Sequence, residues 1–244
     1  MIYAQNHWIE IYGKPSCSDL YNNRIHEQET TLFFRSYLKK GDTVYDIGAN
    51  IGYFTLEFAR LIGKTGKVLC FEPHPEIFGV LANNVRRNGY KNIRLHNVAC
   101  GESNSKQRLY FSTENEGNHK IVENEKSSHS VEIQTVRLDS IIIPNPPSLI
   151  KMDIEGAELL ALKGIGDDFL AKSKVDFVIE YHPYEMSFFG IEGVELLDFF
   201  SHHGYKFRNL AYDNFPIISK EEILANYRKE DYGITNLFCS KLID

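Results

Sequence analysis

The chain has 244 residues, 43% of them hydrophobic, with a formal net charge of −6 and a pI near 5.9. That size and apolar share suit one large α/β domain with a short extension, and the acidic balance supplies no basic stripe, which argues against long nucleic acids as substrates. No stretch approaches eighteen apolar residues and the start, MIYAQNHWIEIYGK, lacks a basic segment followed by an apolar run, so the expectation is a cytoplasmic protein with no membrane attachment. Cys17, Cys70, Cys100 and Cys239 lie far apart, and Cys70 and Cys239 fall in apolar strand-like runs, which reads as reduced thiols.

Residues 1–26 mix Tyr3, Trp8, Tyr12 and Tyr21 with polar residues in no clear period, as a flap or a pairing arm would. From Glu27 a helix is expected, with Thr30, Phe33, Phe34, Tyr37 and Leu38 on one face and Lys39, Lys40 and Gly41 as its stop. Residues 1–40 thus form an extension packed on a core domain of 41–244, which carries insertions at about 105–137 and 211–230.

The core domain opens with GDTVYDIGANIGYFT. Thr43 to Ile47 read as a buried strand, Gly48, Asn50 and Gly52 as a turn, and a helix resumes at Tyr53. Such a turn is expected to aim unpaired N–H groups and the positive end of a helix at a ligand bearing a negative group. A dinucleotide fingerprint would need glycines at 48, 50 and 53, and only the first is present; the spacing is instead D-x-G-x-N-x-G from Asp46.

A second strand, KVLCFE, ends at Glu72, whose carboxylate can accept bonds from both hydroxyls of a ribose. NAD and S-adenosylmethionine both contain one, and an acid at a strand end also occurs with no ligand at all. Ile77, Val80, Leu81, Asn84 and Val85 mark the next helix, and NIRLHNVAC a third strand. Asn97 offers a donor and an acceptor to a base edge, or else simply forms the turn.

Two alternating stretches, QRLYFS and SVEIQTVR, read as added strands around a long polar loop in which Gly117, Asn118, His119 and Lys120 are candidates to touch substrate, a surface loop being the alternative. Asn145-Pro146-Pro147 is similar to the motif of amino-group DNA methyltransferases but precedes its strand instead of following it, and is discarded. In SLIKMDIEG, Asp153 is expected at the same crevice as Asp46 and Gly48. Glu155 and Glu158 are expected in the first helical turn after it, where dipole capping competes with any contact of Glu155 to substrate. The strand VDFVIEY ends in Glu180, and His182, extended before Pro183, continues in line from it. If the strands ending at Asp153 and Glu180 are neighbours, Asp153, Glu180 and His182 converge as a catalytic group, or as a site for a divalent ion. The simpler account, in which the acids bond to cofactor and backbone, is preferred to the metal. EGVELLDFFSHHG reads as a helix and TNLFCSK as a final strand.

Taken together, VYDIGANIGYFTL, FEPHP, NVACGE, LIKMDIEGAELLALKG and VIEYHP resemble the FkbM family of methyltransferases over roughly residues 41–185. The resemblance implies the class I architecture: a doubly wound, seven-stranded, mostly parallel sheet with an antiparallel last strand. It implies S-adenosylmethionine as cofactor, held by Asp46, Gly48, Asn50, Gly52, Tyr53, Glu72, Asn97, Val98 and Asp153. The implied reaction is transfer of a methyl group to a hydroxyl of a sugar or natural product; from its ordinary pKa and its place at the strand tip, His182 is expected to be the base, with Asp153 or Glu180 orienting it. A protein or RNA methyltransferase of the same fold, and a nicotinamide oxidoreductase, stand as alternatives. Neither the acceptor nor the oligomeric state is written in these motifs.

Overall fold

The computed structural model describes residues 1–11, 25–111, 119–120, 129–141 and 146–242. The chain divides into two compact units, Met1–Ala99 with Ser105–Thr135, and Cys100–Asn104 with Val136–Asp244.

The first unit begins with an antiparallel hairpin of β1 (Ile2–Ala4) and β2 (His7–Ile9). Gln5 and Asn6 supply the two positive φ angles, 50° and 72°, that a two-residue hairpin turn needs. The unpatterned N-terminus is therefore a pairing arm over residues 1–11; Tyr12 and Tyr21, like Cys17, lie outside the described residues. Next comes α1 (Gln28–Tyr37), one residue inside the expected start. Then β3 (Thr43–Ile47), α2 (Tyr53–Ile62), β4 (Lys67–Phe71), α3 (Pro75–Asn88) and β5 (Ile93–His96) alternate.

The three strands β3, β4 and β5 lie side by side and parallel, with Ile47 opposite Phe71 and Phe71 opposite His96. Val44, Tyr45, Ile47, Val68 and Cys70 are all buried, which is why these strands read as continuous apolar runs and not as alternating ones. Edge-on packing of Phe34 against Phe54 and Phe58, at ring distances of 5.4 and 4.7 Å, fastens α1 to α2. The third strand is shorter than NIRLHNVAC: it stops at His96, and the two-residue β6 (Ala99–Cys100) follows Asn97 and Val98. The added strands form as expected. In register from Ser105 opposite Thr135 to Phe111 opposite His129, β7 (Ser105–Phe111) pairs antiparallel with β9 (His129–Val136), and β8 (His119–Lys120) joins β7.

The second unit contains β10 (Leu149–Met152), α4 (Glu158–Ile165), α5 (Asp167–Lys172), β11 (Asp176–Tyr181), α6 (Pro183–Met186), α7 (Gly193–His202), β12 (Lys206–Asn209), β13 (Ile217–Ile218), α8 (Lys220–Asn226) and β14 (Thr235–Ser240). Its strands run in the order β10-β11-β14-β12-β13. The first pair is parallel, and β14, antiparallel to β11 and β12, is the reversed last strand the resemblance implies. Leaving aside the two-residue β13, the second unit thus has four strands, in addition to the three parallel ones, β3, β4 and β5, described for the first unit. The insertion at 211–230 holds β13 and α8, the latter started by a reciprocal capping pair, Ser219 and Glu222. Among the described residues Cys70, Cys100 and Cys239 are free and buried, and no helix is long and apolar enough to cross a membrane. Asn145 lies outside the described residues.

Candidate functional site

In the first unit the turn after β3 is built by backbone of extreme local conformation. Gly48, Asn50 and Gly52 take φ angles of 80°, 49° and 94°, the left-handed region open to glycine and tolerated by asparagine. A side chain at Gly52 would put its Cβ 2.6 Å from Leu81 Cδ1 of α3, so this glycine is needed for close packing as well. The expected unpaired N–H groups are not there. Gly48 and Ala49 N–H donate to the Phe71 carbonyl, each at 3.0 Å, and Gly52 N–H to the Ala49 carbonyl at 2.9 Å. Ile51 N–H donates to Asn50 Oδ1 at 2.8 Å, and Asn50 N–H to Glu72 Oε2 at 3.0 Å. The reason is the parallel neighbour: β4 ends level with the turn, and its last carbonyl and the following carboxylate consume the donors. What the turn presents is a narrow backbone surface, without a cradle of amides.

Asp46 is fully buried and accepts the Thr55 hydroxyl at 2.5 Å, tying β3 to the first turn of α2. Tyr53 is also buried, edge-on to His26 at 5.2 Å. Glu72 is brought to the turn: besides Asn50, its Oε1 accepts His74 N–H at 2.8 Å. Asn97 turns its amide to the backbone, donating to the carbonyls of Glu72 and Pro73 at 2.7 and 3.1 Å. Its role in the structure is to brace the turn after β4, with Val98 half-buried beside it.

Two histidines that the sequence reading passed over sit at the same strand ends. His74, the residue before α3, is buried, and burial depresses its imidazole below the usual range. His96 stacks on Phe71 at 4.8 Å and is depressed by burial and by Arg94. Their sequence signal was present in FEPHP and RLHN, but nothing in the pattern set these histidines apart from core ones.

The second unit carries the other candidates. Since Met152 lies opposite Ile179 in the parallel pair, the chain leaves β10 at Asp153 level with Glu180 of β11. Glu180 and His182 are half-buried on one face of that strand line, with buried Tyr181 between them on the other. His182 avoids the helical region as expected before proline but is not fully extended, with φ −134° and ψ 84°, and begins α6, its ring 6.3 Å from that of Tyr184. Asp153 is paired: Lys151 Nζ, on a nearly buried side chain, donates to its Oδ2 at 3.2 Å. A lysine inside the apolar strand LIKM was the missed signal. Among the described residues no group of three or more His, Cys, Asp or Glu is placed to hold a metal ion.

Glu155 is not in a helical turn. It sits before α4 at φ 56°, followed by Gly156 at 93°, because the chain reverses there before the helix begins at Glu158. A Cβ on Gly156 would come within 2.4 Å of the Glu185 backbone in α6, so this turn rests directly on the segment that follows His182. Glu158 is fully buried, and its Oε1 accepts Ile154 and Gly156 N–H at 3.0 and 3.4 Å. Burial, with the like charge of Asp153 adding and these N–H bonds opposing, pushes its carboxyl up to about 7. Of the loop candidates, Gly117 and Asn118 lie outside the described residues, and His119 and Lys120 form β8.

A family model described as Methyltransferase FkbM domain matches residues 46–207. Methyltransferase 1 of Beauveria bassiana is 27% identical over 147 residues, which cover 51% of this chain and 59% of that protein. The hexuronic acid methyltransferase AglP of Haloferax volcanii is 29% identical over 160 residues, covering 63% of this chain and 61% of that protein. The chain thus spans less than two thirds of the length of either relative. Among solved structures, precorrin-6y C5,15-methyltransferase of Geobacter metallireducens superposes with a TM-score of 0.50 at 14% identity over 88% of each chain, a likeness of fold.

Proposed function

Because the chain belongs to the FkbM methyltransferase family, we propose that it moves a methyl group from S-adenosylmethionine to a hydroxyl of a sugar or small natural product, in the cytoplasm. The observation that carries this reading is the bond from Asn50 N–H to Glu72 Oε2, which sets the glycine turn and the ribose-type acid side by side. The residues fit the cofactor better than a dinucleotide. With all five amides from Gly48 to Gly52 engaged within the chain, the turn has no N–H groups to cradle a pyrophosphate, whereas a sulfonium nucleoside carries none. Glu72 would receive the ribose hydroxyls, and Gly48 would let the ligand approach the main chain. When bound, the cofactor supplies an activated methyl group.

The chain's own task is to orient the acceptor, exclude water and remove a proton from a poor nucleophile. His182 takes that proton, Glu180 on the same strand face orients the imidazole, and Lys151 holds the Asp153 carboxylate in place. A sugar acceptor is favoured by the hexuronic acid relative and by the net charge of −6, which disfavours an RNA acceptor.

Two measurements test this. Thermal shifts with S-adenosylmethionine, S-adenosylhomocysteine and NAD should show stabilisation by the first two only; stabilisation by NAD alone would overturn the reading. With hexuronic acids and neutral sugars as acceptors, His182→Ala should lower methyl transfer by roughly 10²- to 10⁴-fold while leaving cofactor binding intact. Transfer within a few-fold of wild type would remove His182 from the role.

A further inference from the structure

Asn84 was expected only as part of the inward face of a helix. It is fully buried, and all of its hydrogen-bonding groups are committed in two directions. Toward the N-terminal arm, its Oδ1 accepts Glu10 N–H at 2.7 Å and its Nδ2 donates to the Glu10 carbonyl at 3.0 Å. Toward the glycine turn, the same Nδ2 donates to the Ile51 carbonyl at 2.8 Å. One turn along α3, Asn88 repeats only the first half: its Oδ1 accepts Trp8 N–H at 2.9 Å and its Nδ2 donates to the Trp8 carbonyl at 2.8 Å. Both asparagines therefore act as a substitute strand for the edge of β2, but only Asn84 reaches the turn. Leu81, one turn before Asn84, fills the space against Gly52. Turn, helix and arm thus meet at a single amide.

We propose that Asn84 is a positioning residue that couples docking of the N-terminal arm to the shape of the Gly48–Gly52 turn, and through it to affinity for the nucleoside cofactor. The cofactor half of this statement rests on the function proposed above; the coupling of arm to turn does not. The bond pattern gives the physical reason. An amide NH₂ group shared between two carbonyls is held in plane by the Glu10 bonds at one end, so releasing the arm frees the amide to rotate away from Ile51. Ile51 then loses its restraint between Asn50 and Gly52, the two neighbours held at positive φ.

Hydrogen exchange in the cofactor-free protein reads the coupling directly. Glu10→Pro removes the N–H that Asn84 Oδ1 accepts, at an arm residue beyond the end of β2, without altering the helix core. It should speed exchange of the Ile51 and Gly52 amides about tenfold, as should Asn84→Ala. Asn88→Ala, which removes the two bonds to Trp8 and an Nδ2 bond to the Asn84 carbonyl at 2.8 Å but leaves the Asn84 side-chain amide all its partners, should leave those amides within about threefold of wild type. In titrations with S-adenosylmethionine, Glu10→Pro should weaken binding by about tenfold and raise the cofactor KM with kcat unchanged, a split that general destabilisation would not produce. Unchanged exchange at 51 and 52 in Glu10→Pro would overturn the coupling, as would equal acceleration by Asn88→Ala. If wild type binds no S-adenosylmethionine, the proposed function falls, and the exchange result still decides the coupling.

Discussion

The turn over Gly48–Gly52 and the turn over Asp153–Ala157 both lead from a parallel strand into a helix, and both rely on residues at positive φ, yet they are closed by different groups. The first is closed largely by its neighbour: the Phe71 carbonyl and the Glu72 carboxylate at the end of β4 take three of its N–H groups. The second is closed from within, by the carboxylate of Glu158 at the head of its own helix. The first turn is closed mostly by main chain, with one carboxylate from the neighbouring strand end. A turn closed by one buried acid depends on that acid's proton. The surroundings differ in the same sense, since Gly52 faces the end of a leucine side chain and Gly156 faces backbone.

The largest test of that contrast is steric. Gly156→Ala must adopt φ near 93° and push its Cβ against the Glu185 main chain, and should cost about 4 kcal/mol. Gly52→Ala pays a similar backbone cost but displaces only a movable Leu81 methyl, and about 2 kcal/mol is expected. Urea unfolding of the two variants compares them, and equal losses would erase the distinction.

Next in size is the proton. Since the Glu158 carboxyl titrates at about 7 in the folded chain and lower when unfolded, the folded state binds more protons between the two values. Its contribution to stability therefore falls as pH rises through that window, by on the order of 3 kcal/mol. His7 works in the opposite sense: burial drives its imidazole down to about 4, so stability rises with pH between there and the unfolded value. Glu158→Gln isolates the acid. Its stability relative to wild type should increase from pH 5 to pH 8, and a constant difference across that range would mean the turn does not depend on ionisation.

The smallest effect belongs to the first turn. Asn50→Ala loses the bond to Ile51 N–H and the tolerance of a φ of 49°, and should cost about 1 kcal/mol in urea unfolding. A loss as large as that of Gly52→Ala would show that the Asn50 side chain, and not the glycine, holds the first turn.

What could be read from the sequence follows the same division. Local patterns were legible: the strand before Gly48, the three turn residues, the acid at Glu72, the last strand and the two added strands appear where spacing and periodicity put them, and the reversal of the last strand is the one the family resemblance implied. Bonds across long sequence separations were not. Nothing in GANIG announces that Phe71 will take two of its amides, and Asn84 looks like an ordinary polar interruption on a helix face until Ile51 and Glu10 are brought to it. The N-terminal arm showed no period because helix side chains, in place of a second long strand, complete its edge. Lys151 was visible but unexplained until Asp153 lay beside it, and Glu155 was misassigned to a helix because a non-glycine residue at positive φ leaves no compositional trace.

The asparagine pair on α3 also acts as a ruler. Trp8 and Glu10 are two residues apart on an extended segment, about 6.6 Å, and Asn84 and Asn88 are four apart on a helix, about 6 Å, so the two repeats nearly match. A one-residue insertion or deletion between Trp8 and Glu10 would put these repeats out of step. Extra residues added ahead of Met1, by contrast, leave the match untouched, so an affinity tag belongs in front of the hairpin and never inside it.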